Sequence, residues 1–256
     1  MAETNNVEPD PETNNPHDLW EKIYSKDRIC RKMRPFLSQD APIKQDSMRF
    51  VCISDTHDSL DKLLDKIPFG DALIHCGDFT NYGDFDEILR FNDQIGKLPH
   101  KHKIVIAGNH ELGFEDGDHR KIFIDERYAG RGTLKGYKML TNCTYLQDNF
   151  VEICGIRIYG SSWHPLPGFS FYRARGQDIL EEWLNIPTAS SETPIDVLMT
   201  HTPPLGHSDQ WHTERWGCTE LLNCNIHFDF DFLYYFIFFM CGTSHQAKIP
   251  RVRPCT

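Results

Sequence analysis

The stretch RFVCISDTHDSLDKLLDKIPFGDALIHCGDF, residues 49–79, decides the fold class. Two short β-rich runs in it enclose an amphipathic segment, DSLDKLLDKI, whose apolar spacing predicts a helix. Further along, DFDEILRFNDQIGKL has the same helical periodicity, and KIVIAGN is another apolar, strand-like run. Short apolar runs that alternate with amphipathic ones are typical of an α/β domain in which helices cover a largely buried sheet.

The α/β pattern continues to about residue 201. FVEICGIRIYG, residues 150–160, predicts a hairpin in which Gly155 makes the turn or a bulge. A loop-like aromatic segment follows at 160–176, and QDILEEWLNI then predicts a helix. IDVLMTH predicts another buried strand, which ends at His201. We therefore expect one α/β domain over residues 48–223.

Two segments outside this domain differ in composition. Residues 1–47 are rich in Asn, Pro and charged residues. Of these, 1–16 are expected to be disordered and 17–47 to form a helix-plus-loop extension. Residues 224–256 form a divergent, aromatic-rich tail. Its apolar run from Phe232 to Cys241 is ten residues long, against the ~20 that a membrane-spanning helix needs, so we expect a buried or aggregation-prone strand and no membrane span.

The charge and the cysteine content of the chain bear on its binding partners and on its cellular location. The 256 residues carry 27 Lys and Arg against 37 Asp and Glu, a net charge of −10. A broad cationic surface for nucleic acid or anionic lipid is therefore not expected. The nine cysteines include no C-x-x-C pair, and Cys52 and Cys76 lie in apolar runs where a small buried thiol is the ordinary role. With no secretory pattern at the N-terminus, a reducing, cytoplasmic location is the expectation.

Residues of the metal-ligand type stand at the ends of four strand-like runs. They are Asp55 and His57, Asp78, Asn109 and His110, and His201. In open α/β sheets the carboxyl ends of strands face the crevice where ligands bind, so these side chains are expected to converge. Each has a simpler explanation when taken alone. Asp55 suits a helix N-cap, Gly77-Asp78 and Gly108-Asn109 suit turns, and His201 suits a hydrogen-bonded strand end. The prediction of a shared metal site rests on the presence of such residues at the ends of all four runs.

The chemistry of this set fits a two-metal site. Two divalent cations about 3.5–4 Å apart need a bridging carboxylate and a mixed oxygen and nitrogen shell. Asp78 is predicted to bridge, with Asp55 and His57 on one ion and Asn109 and His201 on the other. Such a pair of ions would lower the pKa of a water to give hydroxide and would neutralise the oxygens of a phosphate ester. His110 is predicted to act as general acid beside the leaving group.

The combined motifs Asp55-Thr56-His57, Gly77-Asp78, Gly108-Asn109-His110-Glu111 and His201 resemble the calcineurin-like metallophosphoesterase superfamily. The sequence segments ISDTH, HCGDFT, IAGNHE, YGSSWHP and MTHTPPLGH are most similar to those of the metallophosphoesterase-domain-containing proteins of animals. Those proteins are themselves similar to class III cyclic-nucleotide phosphodiesterases. The resemblance implies a four-layer α/β/β/α sandwich of two mixed sheets. It also implies a dinuclear site filled by manganese, iron, zinc or magnesium, with manganese favoured, and hydrolysis of small-molecule phosphoesters, nucleotide phosphodiesters above all.

The chain departs from this superfamily at its C-terminal end. The superfamily has a late Gly-His-x-His motif that completes both metal shells, and no such motif follows His201 here. His207, His227 and His245 are the weak candidates for replacement ligands. The last strands of one sheet are expected to be missing or altered, which would leave an unpaired sheet edge. The alternative function is therefore a weakened or inactive remnant that still binds metal or nucleotide.

Two further residue types could contact a substrate. The aromatic segment from Trp163 to Tyr172 could stack on a nucleobase, although Trp163 and Phe171 suit a core equally well. Arg173 and Arg175 could contact phosphate, although a solvated charged surface is the commoner fate of arginine. Neither a G-x-x-x-x-G-K-[ST] loop nor a G-x-S-x-G elbow occurs, so the sequence offers no P-loop or serine-hydrolase signature.

Overall fold

The computed structural model describes residues 7–27, 42, 47–116, 126–188, 191, 194–226 and 245–250. Its strands are β1 Ser47–Ile53, β2 Ala72–Cys76, β3 His102–Ile106, β4 Thr144–Tyr145, β5 Asn149–Ile153, β6 Ile156–Ser161, β7 Val197–Thr200, β8 Gln210–Trp211, β9 Glu214–Arg215 and β10 His245–Pro250. Its α-helices are α1 Pro16–Leu19, α2 Ser25–Asp27, α3 Phe85–Lys97, α4 Gln177–Leu184 and α5 Thr219–Ile226. A π-helical turn, Trp20–Tyr24, joins α1 to α2, and short 3-10 helices cover Leu60–Leu63, Glu126–Tyr128 and Gly136–Met139.

The strands form two mixed sheets and a small hairpin. The larger sheet has the order β10-β1-β2-β3-β4, with β10 antiparallel to β1 and the other pairs parallel. In the smaller sheet, β5 and β6 pair antiparallel as the predicted hairpin, and β7 adds parallel to β6. Strands β8 and β9 form the two-stranded hairpin. The turn between β5 and β6 contains Gly155 at φ +78°, the left-handed conformation that glycine favours.

The two sheets pack face to face through an apolar core. The larger sheet contributes Met48, Phe50 and Cys52 from β1 with the alternate residues of its neighbours, and the smaller sheet contributes Ile156 and Ile158 among others. These positions alternate along each strand, because successive side chains point to opposite faces of a sheet. The sandwich interior is therefore a dry layer built from both sheets.

Helices cover the outer faces of both sheets. Helix α3 lies on the larger sheet through Ile88, Phe91 and Ile95, which recur at helical spacing and are buried. It begins with a capping box in which Asp84 and Glu87 satisfy the free backbone N–H groups of the first turn. Helices α4 and α5 contribute to the same set of outer contacts on the smaller sheet. The predicted four-layer α/β/β/α sandwich of mixed sheets is confirmed.

One predicted helix is much shorter than expected. The segment 58–67 forms only the 3-10 turn Leu60–Leu63. Before this turn, His57 and Asp58 have positive φ values, which an α-helix does not allow. After the segment comes Pro68. Because proline disfavours helical geometry in the preceding residue, little of the segment is left for an α-helix.

The N-terminal extension is more ordered than predicted. Disorder was expected for residues 1–16, but residues 7–16 have defined backbone, and the Thr13 hydroxyl donates a 2.5 Å hydrogen bond to Glu220. Leu19 and Trp20 then pack on Leu205 and Leu222, with Tyr24 alongside. Burial of this apolar cluster supplies the free energy that orders the segment. Residues 1–6 lie outside the described part of the chain.

The C-terminal tail has two described parts. Helix α5 continues across residue 223, where the predicted domain boundary lies, and β10 at 245–250 extends the larger sheet. Along the described chain, β7 pairs only with β6, so the smaller sheet ends at β7. The apolar run 232–241 lies outside the described residues.

The described residues include no helix long and apolar enough to cross a membrane. Their cysteines are of two kinds: Cys52, Cys76, Cys143, Cys218 and Cys224 are free thiols, and Cys154 is in a disulfide.

Candidate metal centre

The predicted site residues converge at one edge of the larger sheet. Asp55 and Asp78 follow β1 and β2, and Asn109 follows β3, at the carboxyl ends of three parallel strands. His201 follows β7 of the other sheet and crosses to this edge, where its Nδ1 donates a 2.8 Å hydrogen bond to the Cys76 carbonyl oxygen. The convergence expected from the strand ends is therefore present.

The loops after β1 and β2 are hydrogen-bonded to each other through the backbone. The Asp55 N–H donates to the Gly77 carbonyl, and the His57 N–H donates to the Asp78 carbonyl, both at 3.0 Å. Asp55, His57 and Asp78 all have positive φ, at 53°, 39° and 54°. Non-glycine residues rarely adopt this conformation, and backbone strain of this kind concentrates at functional sites. The strain fixes the direction of three candidate ligands.

A close approach between two loops requires glycine at position 108. A Cβ at Gly108 would overlap the Asp78 carboxylate and lie 2.7 Å from Cε1 of His201. Real Cβ atoms essentially never approach so closely. The Gly in the sequence Gly108-Asn109-His110-Glu111 therefore makes room for Asp78 and His201 rather than only forming a turn.

Glu111 is a buried carboxylate that accepts hydrogen bonds from several residues of the centre. Its side chain is fully buried and accepts hydrogen bonds from the N–H groups of Asp78 at 2.9 Å and Gly108 at 2.6 Å. It also accepts from the backbone N–H and hydroxyl of Thr80, both at 2.8 Å. The sequence prediction gave Glu111 no role. Its place directly after His110 in the motif is the signal that points to it.

Asp78 is central to the arrangement. Its Oδ1 lies 3.5 Å from His201 Nε2, and its Oδ2 lies 3.7 Å from His57 Nε2. The His110 N–H also donates to Oδ1 at 2.9 Å. The two carboxylate oxygens thus face different histidines, as a bridging ligand between two cations requires.

The three site histidines share one tautomer. Nδ1 of His57, His110 and His201 lies within hydrogen-bond distance of a backbone carbonyl, at 3.3, 2.6 and 2.8 Å respectively. A carbonyl oxygen can only accept, so Nδ1 carries a proton in each ring, which leaves Nε2 of His57 and His110 directed to the centre, while Nε2 of His201 lies 3.0 Å from Asn109 Oδ1. Metal-binding histidines are typically oriented by such a bond from the other ring nitrogen. The donor set therefore fits divalent metal.

The ligand atoms fall into two groups that share Asp78. One contains Asp55, Asp78 and His201, and the other contains His57, Asp78 and His110, with all atoms of each group within 4.8 Å of one another. Asn109 adjoins the first group, since its Oδ1 is 3.0 Å from His201 Nε2. The sequence-based division differs, because it paired Asp55 with His57. It also reserved His110 for acid catalysis, whereas the structure places it within reach of a metal group.

The charges in the centre affect one another strongly. Burial, reinforced by the charge of Asp78, raises the pKa of Asp55 to about 7. Burial raises the pKa of Glu111 to about 7 as well, against the hydrogen bonds that it accepts. Although burial also opposes ionisation of Asp78, the nearby His201, His110 and His57 lower its pKa. A divalent cation among these carboxylates would favour their ionised forms.

Two buried histidines nearby are not ligand candidates. His164 donates from Nε2 to the Ser170 carbonyl at 2.5 Å and accepts the Leu166 N–H on Nδ1 at 3.1 Å, so both ring nitrogens are used. His75 lies within the sheet, with Nε2 3.0 Å from the Thr56 hydroxyl. Burial lowers the pKa of each to about 3. Both are therefore neutral structural residues.

The aromatic segment after β6 mostly contributes to the core. Trp163 and Phe171 are buried and pack edge to face, so nucleobase stacking on them, considered from the sequence, is not possible in this structure. Arg173 stacks on Trp163 and forms ion pairs with Glu115 and Glu182. These carboxylates, rather than solvent, are the described partners of its guanidinium, and the phosphate contact that the sequence left open stays untested.

Two residues of the segment do face the centre. Phe169 is half-buried, and its ring centroid is 5.1 Å from that of His110. Arg175 lines a cleft together with the candidate ligands Asn109 and His201 and with His164, Pro165, Leu166, Thr202 and Trp216. Sequence analysis named Arg175 but did not identify Trp216.

Of the replacement ligands considered for the missing motif, His207 is the one whose side chain is described. Among the described side chains, neither ligand group includes His207, whose N–H donates to the Pro204 carbonyl in its own loop. His227 lies outside the described residues, and His245 is described only as part of the β10 backbone.

Comparison with known proteins agrees with this geometry. The family model for calcineurin-like phosphoesterase matches residues 48–236. The chain is 51% identical over 222 residues to the UPF0046 protein C25E10.12 of Caenorhabditis elegans, covering 84% of this chain and 76% of the relative. It is 44% identical over 196 residues to metallophosphoesterase domain-containing protein 1 of Homo sapiens, covering 72% of this chain and 58% of the human protein.

Proposed function

This chain belongs to the calcineurin-like phosphoesterase family, and from that premise we propose that it is a metal-dependent phosphodiesterase with a dinuclear centre. The substrates are small phosphodiesters, with cyclic nucleotides among the candidates. The observation that supports the proposal is the pair of ligand groups that share Asp78. A shared carboxylate between two groups of nitrogen and oxygen donors is what a two-metal hydrolase requires.

The side chains assigned to the two ions are Asp55, His57, Asp78, Asn109 and His201. When bound, two divalent ions supply a hydroxide nucleophile and neutralise the phosphoryl oxygens. The chain's own contribution is to fix the donors. Glu111 holds the backbone of Asp78 and Gly108, and the carbonyl of Cys76 orients the His201 ring. Such outer hydrogen bonds commonly change metal affinity by about 10- to 100-fold.

His110 is proposed to protonate the leaving oxygen. Its Nδ1 lies 2.6 Å from the Asn81 carbonyl, so Nε2 is the nitrogen left to act on the leaving oxygen. To act as general acid, the ring must carry a proton on Nε2 as well and transfer it as the phosphorus–oxygen bond breaks. His57 packs edge to face on the same ring at 4.9 Å and limits its rotation.

The test is hydrolysis of bis-p-nitrophenyl phosphate by the full chain with added Mn²⁺. We expect Mn²⁺-dependent release of p-nitrophenolate that falls at least about 100-fold in Asp78→Asn, since both ions lose their shared ligand. Asp178→Asn, at an exposed position in α4, is the matched control and should keep wild-type activity. Melting temperature with and without Mn²⁺ gives an independent readout of binding.

Two results would count against the proposal. Turnover that persists in Asp78→Asn would place the chemistry elsewhere, and the absence of both turnover and a Mn²⁺-dependent melting shift would show that no working centre forms. A melting shift without turnover would favour the alternative, a weakened remnant that still binds metal. In that case a chimera with the superfamily's Gly-His-x-His ending should recover activity, because it restores the missing ligands.

A further inference from the structure

A cleft opens directly beside one half of the candidate centre. Its volume is about 50 Å³ and it is open to solvent, so it can receive only part of a ligand. Asn109 and His201 form part of its lining, so a group in the cleft would sit against the first ligand group. The remaining wall combines apolar side chains with the cation Arg175 and the partly exposed Trp216.

The cleft is next to one ligand group, and His110 belongs to the other. His110 belongs with His57 and Asp78, whereas Asn109 and His201 belong with Asp55. If His110 protonates the leaving group, as in the proposed function on which this inference rests, the leaving group lies on the His110 side. The ester group that stays on phosphorus then points toward the cleft.

The Trp216 wall is held firmly in place. The Trp216 N–H donates to the Asp209 carbonyl at 3.0 Å. The Asp209 carboxylate, 1% exposed, accepts from the N–H groups of Gly206 at 2.9 Å and Gly217 at 3.2 Å, and from Arg215 at 2.6 Å. An aromatic surface whose loop is already ordered loses little entropy when a ligand stacks on it.

Arg175 fixes the same wall from the other side. Its NH1 and NH2 groups donate to the carbonyls of Gly217 at 2.8 Å and Trp216 at 2.9 Å. The planar guanidinium is thereby oriented, and it brings positive charge to a chain with net charge −10. Its neighbour His164 adds no charge, since both of its ring nitrogens are hydrogen-bonded in the neutral form. Guanidinium and indole both bind flat aromatic rings by their faces.

We propose that this cleft is a specificity site for the ester substituent that remains on phosphorus, and that it selects a planar aromatic group through Trp216 and Arg175. Trp216, at 36% exposed, provides the stacking surface. Leu166 and Pro165 add apolar lining to the same cleft. The preferred substrates are therefore phosphodiesters with an aromatic ring on the retained side, and simple alkyl diesters are poor substrates.

The test compares two substrates with the same leaving group. In p-nitrophenyl phenyl phosphate and p-nitrophenyl methyl phosphate, water adds to phosphorus, the bond to p-nitrophenolate breaks, and the phenyl or methyl ester is retained. The measured quantity is the ratio of kcat/KM for phenyl over methyl. We expect Trp216→Ala to lower this ratio by about tenfold, the usual effect of one lost stacking contact. Trp216→Phe should keep most of the ratio.

Trp211→Ala is the matched control, because Trp211 is a tryptophan in the β8–β9 hairpin just before Trp216 and does not line the cleft. A ratio that is the same in wild type, Trp216→Ala and Trp211→Ala would overturn the proposal. Should neither substrate be hydrolysed, the proposed function fails. Calorimetric binding of phenylphosphonate against methylphosphonate then decides this inference alone. Tighter phenylphosphonate binding that is lost in Trp216→Ala supports the site, and equal affinities refute it.

Discussion

Glu111 accepts a 2.9 Å hydrogen bond from the backbone N–H of Asp78, although the two residues are 33 positions apart. The same carboxylate receives the N–H of Gly108, so one buried side chain joins the loops after β2 and β3. Each of its two oxygens accepts two donors, counting the backbone and hydroxyl of Thr80. The position of the candidate bridging ligand therefore depends on a residue that touches no metal.

Replacement of this carboxylate should weaken the centre and the fold together. Glu111→Gln puts an NH₂ group against two N–H donors, and buried donors left unsatisfied cost about 1–3 kcal/mol each. We expect a loss of unfolding free energy of that order in urea and about 10- to 100-fold weaker Mn²⁺ binding. Glu181→Gln, at an exposed position in α4, should change neither. Wild-type Mn²⁺ affinity in a folded Glu111→Gln would show that this bond does not position Asp78.

The N-terminal segment packs against the loop that carries His201 and the cleft wall. Trp20 lies directly over Gly206, which has φ +84°, and a Cβ at position 206 would overlap its ring. Gly206→Ala therefore combines the cost of positive φ, about 1–2 kcal/mol, with overpacking of about 1–3 kcal/mol. We expect the free energy of unfolding, measured in urea, to fall by the sum of the two.

Gly130→Ala separates the two costs. Gly130 has nearly the same φ, +80°, but a Cβ there would meet nothing within 4 Å. This variant should show only the conformational part, about 1–2 kcal/mol. Equal losses in the two variants would mean that Trp20 does not press on Gly206, and that the N-terminal segment is not docked as the structure has it.

Two buried neutral histidines should make the fold sensitive to acid. Burial lowers the pKa values of His164 and His75 to about 3 from an ordinary 6.5. Below pH 6.5 the unfolded chain therefore binds one more proton per histidine than the folded chain, and stability is lost as pH falls from 6.5 toward 3. Each histidine contributes a slope of about 1.4 kcal/mol per pH unit in that window.

The measurement is the urea unfolding free energy at several pH values in the presence of a chelator. His164→Gln should remove the contribution of one proton from the slope below pH 6.5, which lowers the slope by about 1.4 kcal/mol per pH unit. His212→Gln, at an exposed position, should leave the slope as in wild type. If His164→Gln and wild type share the same slope, His164 takes up its proton in the folded state and the assigned hydrogen bonds to Leu166 and Ser170 are wrong.

Much of this arrangement could be predicted from the sequence, because it follows from strand order. Asp55, Asp78 and Asn109 each follow an apolar run, and parallel strands bring such residues to one edge. The helix α3 was predicted for a similar reason, since the spacing of Ile88 and Phe91 is a local property of the sequence. In both cases the information lies within a few residues of the feature.

What could not be predicted depends on contacts between distant residues. The pairing of Asp55 with His201 follows from positive φ values in the loop after β1, which no residue type there announces. Trp216 becomes part of the cleft only through Asp209 and Arg175. Trp163 was ambiguous because an indole suits a core and a binding surface equally, and its burial is decided by its stacking with Arg173.

The closest packing in the centre is at Gly108, and it gives the sharpest test of whether Asp78 and His201 act together. A methyl group there would displace the Asp78 carboxylate and lie 2.7 Å from the His201 ring. Gly108 does not have positive φ, so alanine is disfavoured by contact alone. We expect Gly108→Ala to remain folded but to lose its Mn²⁺-dependent melting shift, because the two ligands can no longer approach each other.

Gly96→Ala is the appropriate control for this variant. Its Cβ would meet the Asn142 side chain at 2.7 Å, as near as a Cβ at Gly108 would come to the His201 ring, but here the neighbour is an exposed amide. That amide can move aside at little cost, whereas Asp78 is held by the backbone N–H of His110 and by Glu111 through its own N–H. Gly96→Ala should therefore keep the full melting shift with Mn²⁺. If Gly108→Ala also keeps it, the metal binds without the close approach of Asp78 and His201, and the shared-ligand centre is disproved.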